Sequence, residues 1–240
     1  MLLGTSVIVG TFLFFLVSHW LRKRNAARLE ADPTLENRPA ASPASIFMLD
    51  RPSRWLAIRS EDPFQVQAAL ELHNPAPCLW LDGFSRLGEK SLFISPAVRG
   101  WVFVIGPGLL DPCEDAEAAF HFIMKLSRSL GAVQMFSLSR ILNHHAWIRV
   151  ENERVYRAYV WAGETLWNQG ERTAAEKALR LRCVPYAAEG GLFSFSGDED
   201  SSLNSEKIWQ LASQWSLDPM NVDWQNQTIS YGISGEIRLT

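Results

Sequence analysis

The stretch from Asn143 to Gly170 sets two adjacent histidines, His144 and His145, among Trp147, Trp161 and Trp167. Paired imidazoles invite a metal site, and clustered indoles invite a ligand cage. In a strand, however, neighbouring side chains point to opposite faces. His144 and His145 then cannot both reach one ion, so no metal is expected. Read as a hairpin, the stretch has one apolar face of Ile148, Val150, Ala158 and Val160. The other face carries His145, Trp147, Arg149, Arg157, Tyr159 and Trp161, with Trp167 in the compact loop Ala162–Gly170 that follows. That second face is aromatic and cationic. It suits a partner's groove or a planar anionic group, and these seven residues are the candidate binding surface. A sheet packed beneath a helix through long side chains carries the same residues, because Trp and Tyr are mostly buried.

Cys113 offers a second chemistry. It sits at the start of an expected helix, where a thiol pKa can fall. Glu114 and Asp115 act in the opposite direction. A Cys113 nucleophile served by His144 or His145 would make a hydrolase or a transferase. The turn GPGLLDP has only Gly106 and Gly108, with no G-x-G-x-x-G or G-K-[ST] to complete a phosphate loop. Asp111, Glu114, Asp115 and Glu117 would repel a phosphate there. No G-x-S-x-G or H-E-x-x-H motif occurs, so no cofactor is expected and a protein without catalytic activity is the leading reading.

The elements that must position these residues follow from composition. The chain has 240 residues, 47% hydrophobic and 20% charged, with a net charge of -3. Near-neutral charge without a basic stripe argues against a nucleic-acid partner. Cys78, Cys113 and Cys183 are scattered, with no C-x-x-C pair. That pattern fits free thiols in a reducing compartment rather than a disulfide framework.

Leu2 to Trp20 runs without a formal charge apart from His19. As a helix, about 19 residues span roughly 28 Å, close to the hydrocarbon thickness of a bilayer. Positive charge follows the apolar run, at Arg22, Lys23 and Arg24, instead of preceding it. This is the reverse of a cleavable signal peptide. The expectation is a single-pass anchor over residues 1–24, contacting lipid through residues 2–20, with the amino terminus out and the rest in the cytoplasm. Ser6 and Gly10 form a small-xxx-small pair that can bring two such helices together as a homodimer. Residues 25–50 then read as a linker, Pro/Ala/Ser-rich from Pro33 to Ser45, with a reach of roughly 20–25 Å.

Residues 51–240 are expected to form one soluble α+β domain. RWLAIRS reads as a half-buried strand, and Asp62-Pro63 starts a helix. Residues 73 to 90 look like a Pro/Gly-punctuated loop. SLFIS and GWVFVIG are strands, EDAEAAFHFIMKLSRSLG is a helix, and AVQMFSLS is a strand. The hairpin around Glu151–Glu153 follows, then a helix in RTAAEKALRLR, another capped by Asn204 or Ser205 and stopped before Pro219, and a tail of weak signals. The order β-α-β-β-α-β predicts a ferredoxin-like split βαβ with a hairpin extension, a mainly antiparallel sheet and helices on one face.

The segments GWVFVIGPGLLDP, NHHAWIRVEN, AGETLWNQG and QWSLDP resemble those of a family of uncharacterised bacterial proteins, over roughly Arg51 to Pro219. The resemblance implies a bacterial setting, with no mechanism attached, and in that setting the anchor is expected in the inner membrane. The resulting expectation is a membrane-anchored cytoplasmic protein that binds another protein. The alternatives are an enzyme using Cys113 or a histidine, and a membrane-held immunity or defence component.

Overall fold

Two apolar runs, Trp55–Ile58 and Trp101–Ile105, and the mostly apolar Val133–Phe136, interrupted by Gln134, dictate the architecture, because each needs cover on both sides. The computed structural model describes residues 52–79, 88, 90–186, 198–217 and 231–237. All of them belong to the compact unit Phe47–Thr240. The expected anchor and linker, residues 1–50, lie outside the described residues. Among the described residues, no helix is long and apolar enough to cross a membrane.

The unit is α+β, with a large antiparallel sheet and few helices. Its strands are β1 (Arg54–Arg59), β2 (His73–Leu79), β3 (Ser91–Ile94), β4 (Trp101–Ile105), β5 (Ala132–Ser139), β6 (His144–Glu151), β7 (Arg154–Trp161), β8 (Thr165–Gln169) and β9 (Tyr231–Glu236). They lie in the order β2-β9-β3-β4-β1-β5-β6-β7-β8. Each neighbouring pair is antiparallel. Among the described residues the helices are α1 (Pro63–Ala69), α2 (Ala116–Leu130), α3 (Ala174–Ala178) and α4 (Asp198–Trp215).

Local chemistry explains the helix ends. Asp62 accepts from the Phe64 amide and Pro63 opens α1. Asp115 accepts from the Ala118 amide, and Gly131 ends α2 at φ 79°. Thr173 and Glu176 form a reciprocal capping box at the start of α3.

The two faces of the sheet bury different cores. Leu56, Ile58, Val104, Met135, Ile148 and Val160 pack under Val66 of α1 and Ile123 and Leu126 of α2. Trp55, Phe103, Phe136, Trp147 and Tyr159 pack under Ile208, Trp209, Leu211 and Trp215 of α4, beside Leu181. Helices therefore cover both faces, not the one face expected. The second core is aromatic: Trp55 stacks on Trp209 at 4.1 Å between ring centroids and on Phe136 at 5.0 Å. β1 is accordingly buried on both sides rather than half-buried, since Trp55, Leu56, Ala57 and Ile58 are all fully covered.

Two expected loops are strands at the sheet edges. Residues 73–79 form β2 in spite of Pro75 and Pro77, with a register shift between His73 and Ala76. An edge strand tolerates proline because one row of its backbone groups needs no partner. Residues 165–169 form β8 rather than part of a loop, paired to β7. Gly170 ends β8 at φ 80°, where a Cβ would lie 2.2 Å from the Tyr156 carbonyl oxygen. The tail contributes β9, which fills the gap between β2 and β3. Helix α4 begins at Asp198, so Asn204 lies inside it and is not its cap.

Trp209 is 5% exposed and lies against the centre of the sheet. Trp209→Ala is expected to cost about 3–5 kcal/mol, read as a fall in the urea midpoint at unchanged slope.

Candidate functional site

The hairpin face singled out by the sequence is interior. His145, Trp147, Arg157 and Tyr159 are at most 1% exposed, beneath α4 and the residues Leu179–Cys183 that follow α3. They form an internal polar cluster, not an open docking face. Arg149 and Trp161 are half-buried, and Arg149 pairs with Glu151 at 2.6 Å. Trp167 lies on the other side of the sheet, edge-on to Phe120 of α2 at 5.5 Å. The seven residues are thus divided between the two faces. The reason is packing area: a row of large aromatics in a central strand is worth most under a helix.

Arg157 organises the cluster. It is fully buried, and its Nε donates to Glu176 Oε1 at 2.7 Å. Its Nη1 donates to Asn168 Oδ1 at 2.8 Å and to the carbonyls of Ala158, Gln169 and Gly170 at 2.9, 3.0 and 3.2 Å. Its Nη2 donates to Cys183 Sγ at 3.0 Å. Glu176 is equally buried. Its Oε1 also accepts from Trp147 Nε1 at 2.8 Å, and its Oε2 accepts from the amide and hydroxyl of Thr173. One carboxylate therefore neutralises a guanidinium, satisfies an indole and caps a helix. One guanidinium ties β7 to β8 and to the residues after α3.

His145 is held the same way. The Asn204 side chain grips the Arg182 backbone twice: its Oδ1 accepts from the Arg182 amide at 2.9 Å and its Nδ2 donates to the Arg182 carbonyl at 2.8 Å. That grip fixes which end of the amide points at His145 Nε2, 3.1 Å away. Nε2 must therefore accept, and the ring proton sits on Nδ1. Burial pushes the His145 pKa down to about 4; nearby His144 adds to this, and the backbone of Asn143, as an acceptor for the ring N–H, opposes it. The ring lies parallel to Trp147, 5.7 Å between centroids, as a neutral member of an aromatic stack.

The thiols are held protonated. Burial first, then the carboxylates of Asp111 and Glu114, push the Cys113 thiol far up. Its Sγ donates to the Trp161 carbonyl at 3.6 Å. Cys113 belongs to the core under α2, whereas His145 stacks on Trp147 of the core under α4. The sheet thus separates this thiol from this imidazole. Burial raises the Cys183 thiol to about 11 against the pull of Arg157, and Glu176 adds to the rise.

Glu176 and Cys183 are the members of the cluster that the hairpin-based reading missed. For Glu176 a signal was present, because Thr173-x-x-Glu176 is a capping-box sequence. Cys183 carries no such mark. Among the described residues, no group of three or more His, Cys, Asp or Glu is placed to hold a metal ion. No protein family, curated protein or solved structure matches the chain.

Removing one partner of the buried pair strands the other. Glu176→Ala is expected to cost roughly 3–5 kcal/mol by urea unfolding, and Arg157→Leu combined with Glu176→Leu should recover part of that loss. Acid acts through His145. A folded-state pKa below the unfolded value of 6.5 means that the unfolded chain binds the extra proton. The contribution is full above pH 6.5 and is lost as pH falls from 6.5 to about 4. The loss amounts to roughly 3 kcal/mol. His145→Gln, whose carbonyl can still accept from Asn204, should flatten the stability profile across that window by this amount.

Proposed function

We propose that this chain is a bacterial inner-membrane protein, anchored by Leu2–Trp20 with the amino terminus out, that holds a binding domain in the cytoplasm. The observation that supports binding over catalysis is how the reactive side chains are used. Arg157, Glu176, His145, Cys113 and Cys183 are all engaged in bonds within the fold. The histidine is shifted to the acid side of neutrality and both thiols to the alkaline side. A general base or nucleophile needs the opposite tuning. The enzyme reading with Cys113 or a histidine is correspondingly the weaker one.

For the anchor, support comes from the uncharged run followed by Arg22, Lys23 and Arg24. For the domain, we read β1, β3, β4 and β5 with α1 and α2 as a ferredoxin-like split βαβ, on the strand order β3-β4-β1-β5. On this reading the hairpin β6-β7 and strand β8 extend that unit on one side, and β9 and β2 extend it on the other. A scaffold of this kind carries its recognition surface on the parts left outside the two cores.

Alkaline carbonate extraction of cell membranes should leave the full chain in the pellet. Protease added outside spheroplasts should leave residues 51–240 intact and remove them only after lysis. Recovery of a soluble mature chain beginning past Trp20, or digestion from outside, would overturn the anchored cytoplasmic reading.

A further inference from the structure

Residues of helix α3 and of the chain just before and after it bound an open cavity of ≈ 470 Å³, with Cys183, a hydrogen-bond partner of Arg157, in its lining. Among the described residues its lining includes Arg172, Lys177, Arg180, Arg182 and Cys183, and none of these described lining residues is acidic. We propose that this cavity is a binding site for a phosphate group, so that the domain recognises a phosphate-bearing ligand. The inference names a ligand class for the binding domain proposed above and rests on that reading, but not on the anchor.

Charge distribution carries the first part. The protein as a whole has a net charge of -3, yet Arg172, Lys177 and Arg180 gather three cations around one concavity. Among the described residues, no carboxylate forms an ion pair with Arg172, Lys177 or Arg180. The nearby carboxylate of Glu176 points inward, fully buried and already bound to Arg157, Trp147 and Thr173. It cannot serve the cavity. Like charges crowded on one wall repel, and an anion that bridges them relieves the repulsion.

Preorganisation carries the second part. The capping box and the buried ion pair hold α3 in place. Arg180 turns the chain in a left-handed conformation, φ 52°, directly after the helix. The Arg172 guanidinium donates from Nη2 to the Leu181 carbonyl, and so is fixed at the rim. Walls set before binding lose little entropy on binding. Guanidinium groups match phosphate oxygens in pairs, and Lys177 adds a point charge beside them.

Cys183 makes the site measurable. Its thiol is half-buried and lines the cavity, so an occupant there shields it from alkylation. Full-length protein in zwitterionic lipid nanodiscs is treated with iodoacetamide at rising inorganic phosphate, with chloride holding ionic strength constant. Modification of each cysteine is read by mass spectrometry. At about ten times the half-protecting concentration, Cys183 should react about tenfold more slowly, while Cys78 is unchanged. The double variant Lys177→Ala/Arg180→Ala alters two exposed side chains, and should move protection to at least about tenfold higher phosphate. A second arm replaces free phosphate with nanodiscs containing phosphatidylglycerol. Protection in that arm assigns the site to a lipid headgroup, and protection only in the first assigns it to a soluble phosphate compound. No protection in either arm, or equal protection in the double variant, would overturn the site. Carbonate extraction of the same preparation reports the anchor separately, so failure of one reading is not mistaken for failure of the other.

Discussion

The buried contact between Arg157 and Glu176 joins β7 to α3 inside the second core, at 2.7 Å and with both side chains fully buried. Two unpaired charges at this depth would cost several kcal/mol each, so the pair forms only if β7, β8, α3 and Cys183 arrive together. The guanidinium uses all three of its nitrogens, and both carboxylate oxygens of Glu176 accept. Full satisfaction of this kind lets a polar group sit in a core without a large penalty. It also specifies one arrangement. A slip of β8 by one residue would take the Asn168 amide and the Gln169 and Gly170 carbonyls away from Arg157.

The rest of the second core is built around that fixed point. Trp147 reaches the same carboxylate, His145 stacks on Trp147, and Asn204 of α4 closes on His145. Tyr159 accepts from the Val184 amide through its hydroxyl, and the chain after α3 is thereby laid across β7. The first core, under α1 and α2, is mainly aliphatic, and its polar contacts, such as Ser137 to Asp111, are fewer among the described residues and involve no buried ion pair. One sheet thus has a chemically plain side and a polar, specific side. The proposed phosphate cavity lies outside the specific side, where the buried ion pair holds its wall steady.

The hairpin shows how much of the site could be read from residues alone. Alternation along β6 and β7 correctly separates His145, Trp147, Arg149, Arg157, Tyr159 and Trp161 from Ile148, Val150, Ala158 and Val160. It does not say what lies over either face. A row of Trp, Tyr and Arg looks the same whether it meets solvent, a partner or a helix of its own chain. The answer depended on α4, which follows the hairpin by almost forty residues, and on Glu176, an acid that reads as a helix-capping residue in isolation.

Elements whose signals are local were legible in order: Asp62-Pro63 for α1, the acids and Gly131 for α2, and the alternation of the hairpin strands. Those depend on backbone chemistry within a few residues. Strands β2, β8 and β9 were not legible, because prolines, a five-residue length and a glycine-containing tail carry little propensity of their own. They exist because existing sheet edges offer backbone partners. Placement of helices on both faces was likewise a tertiary decision. Covering Trp55, Phe103, Phe136 and Trp147 removes far more apolar area from water than any local preference is worth, and only the folded chain brings α4 to them.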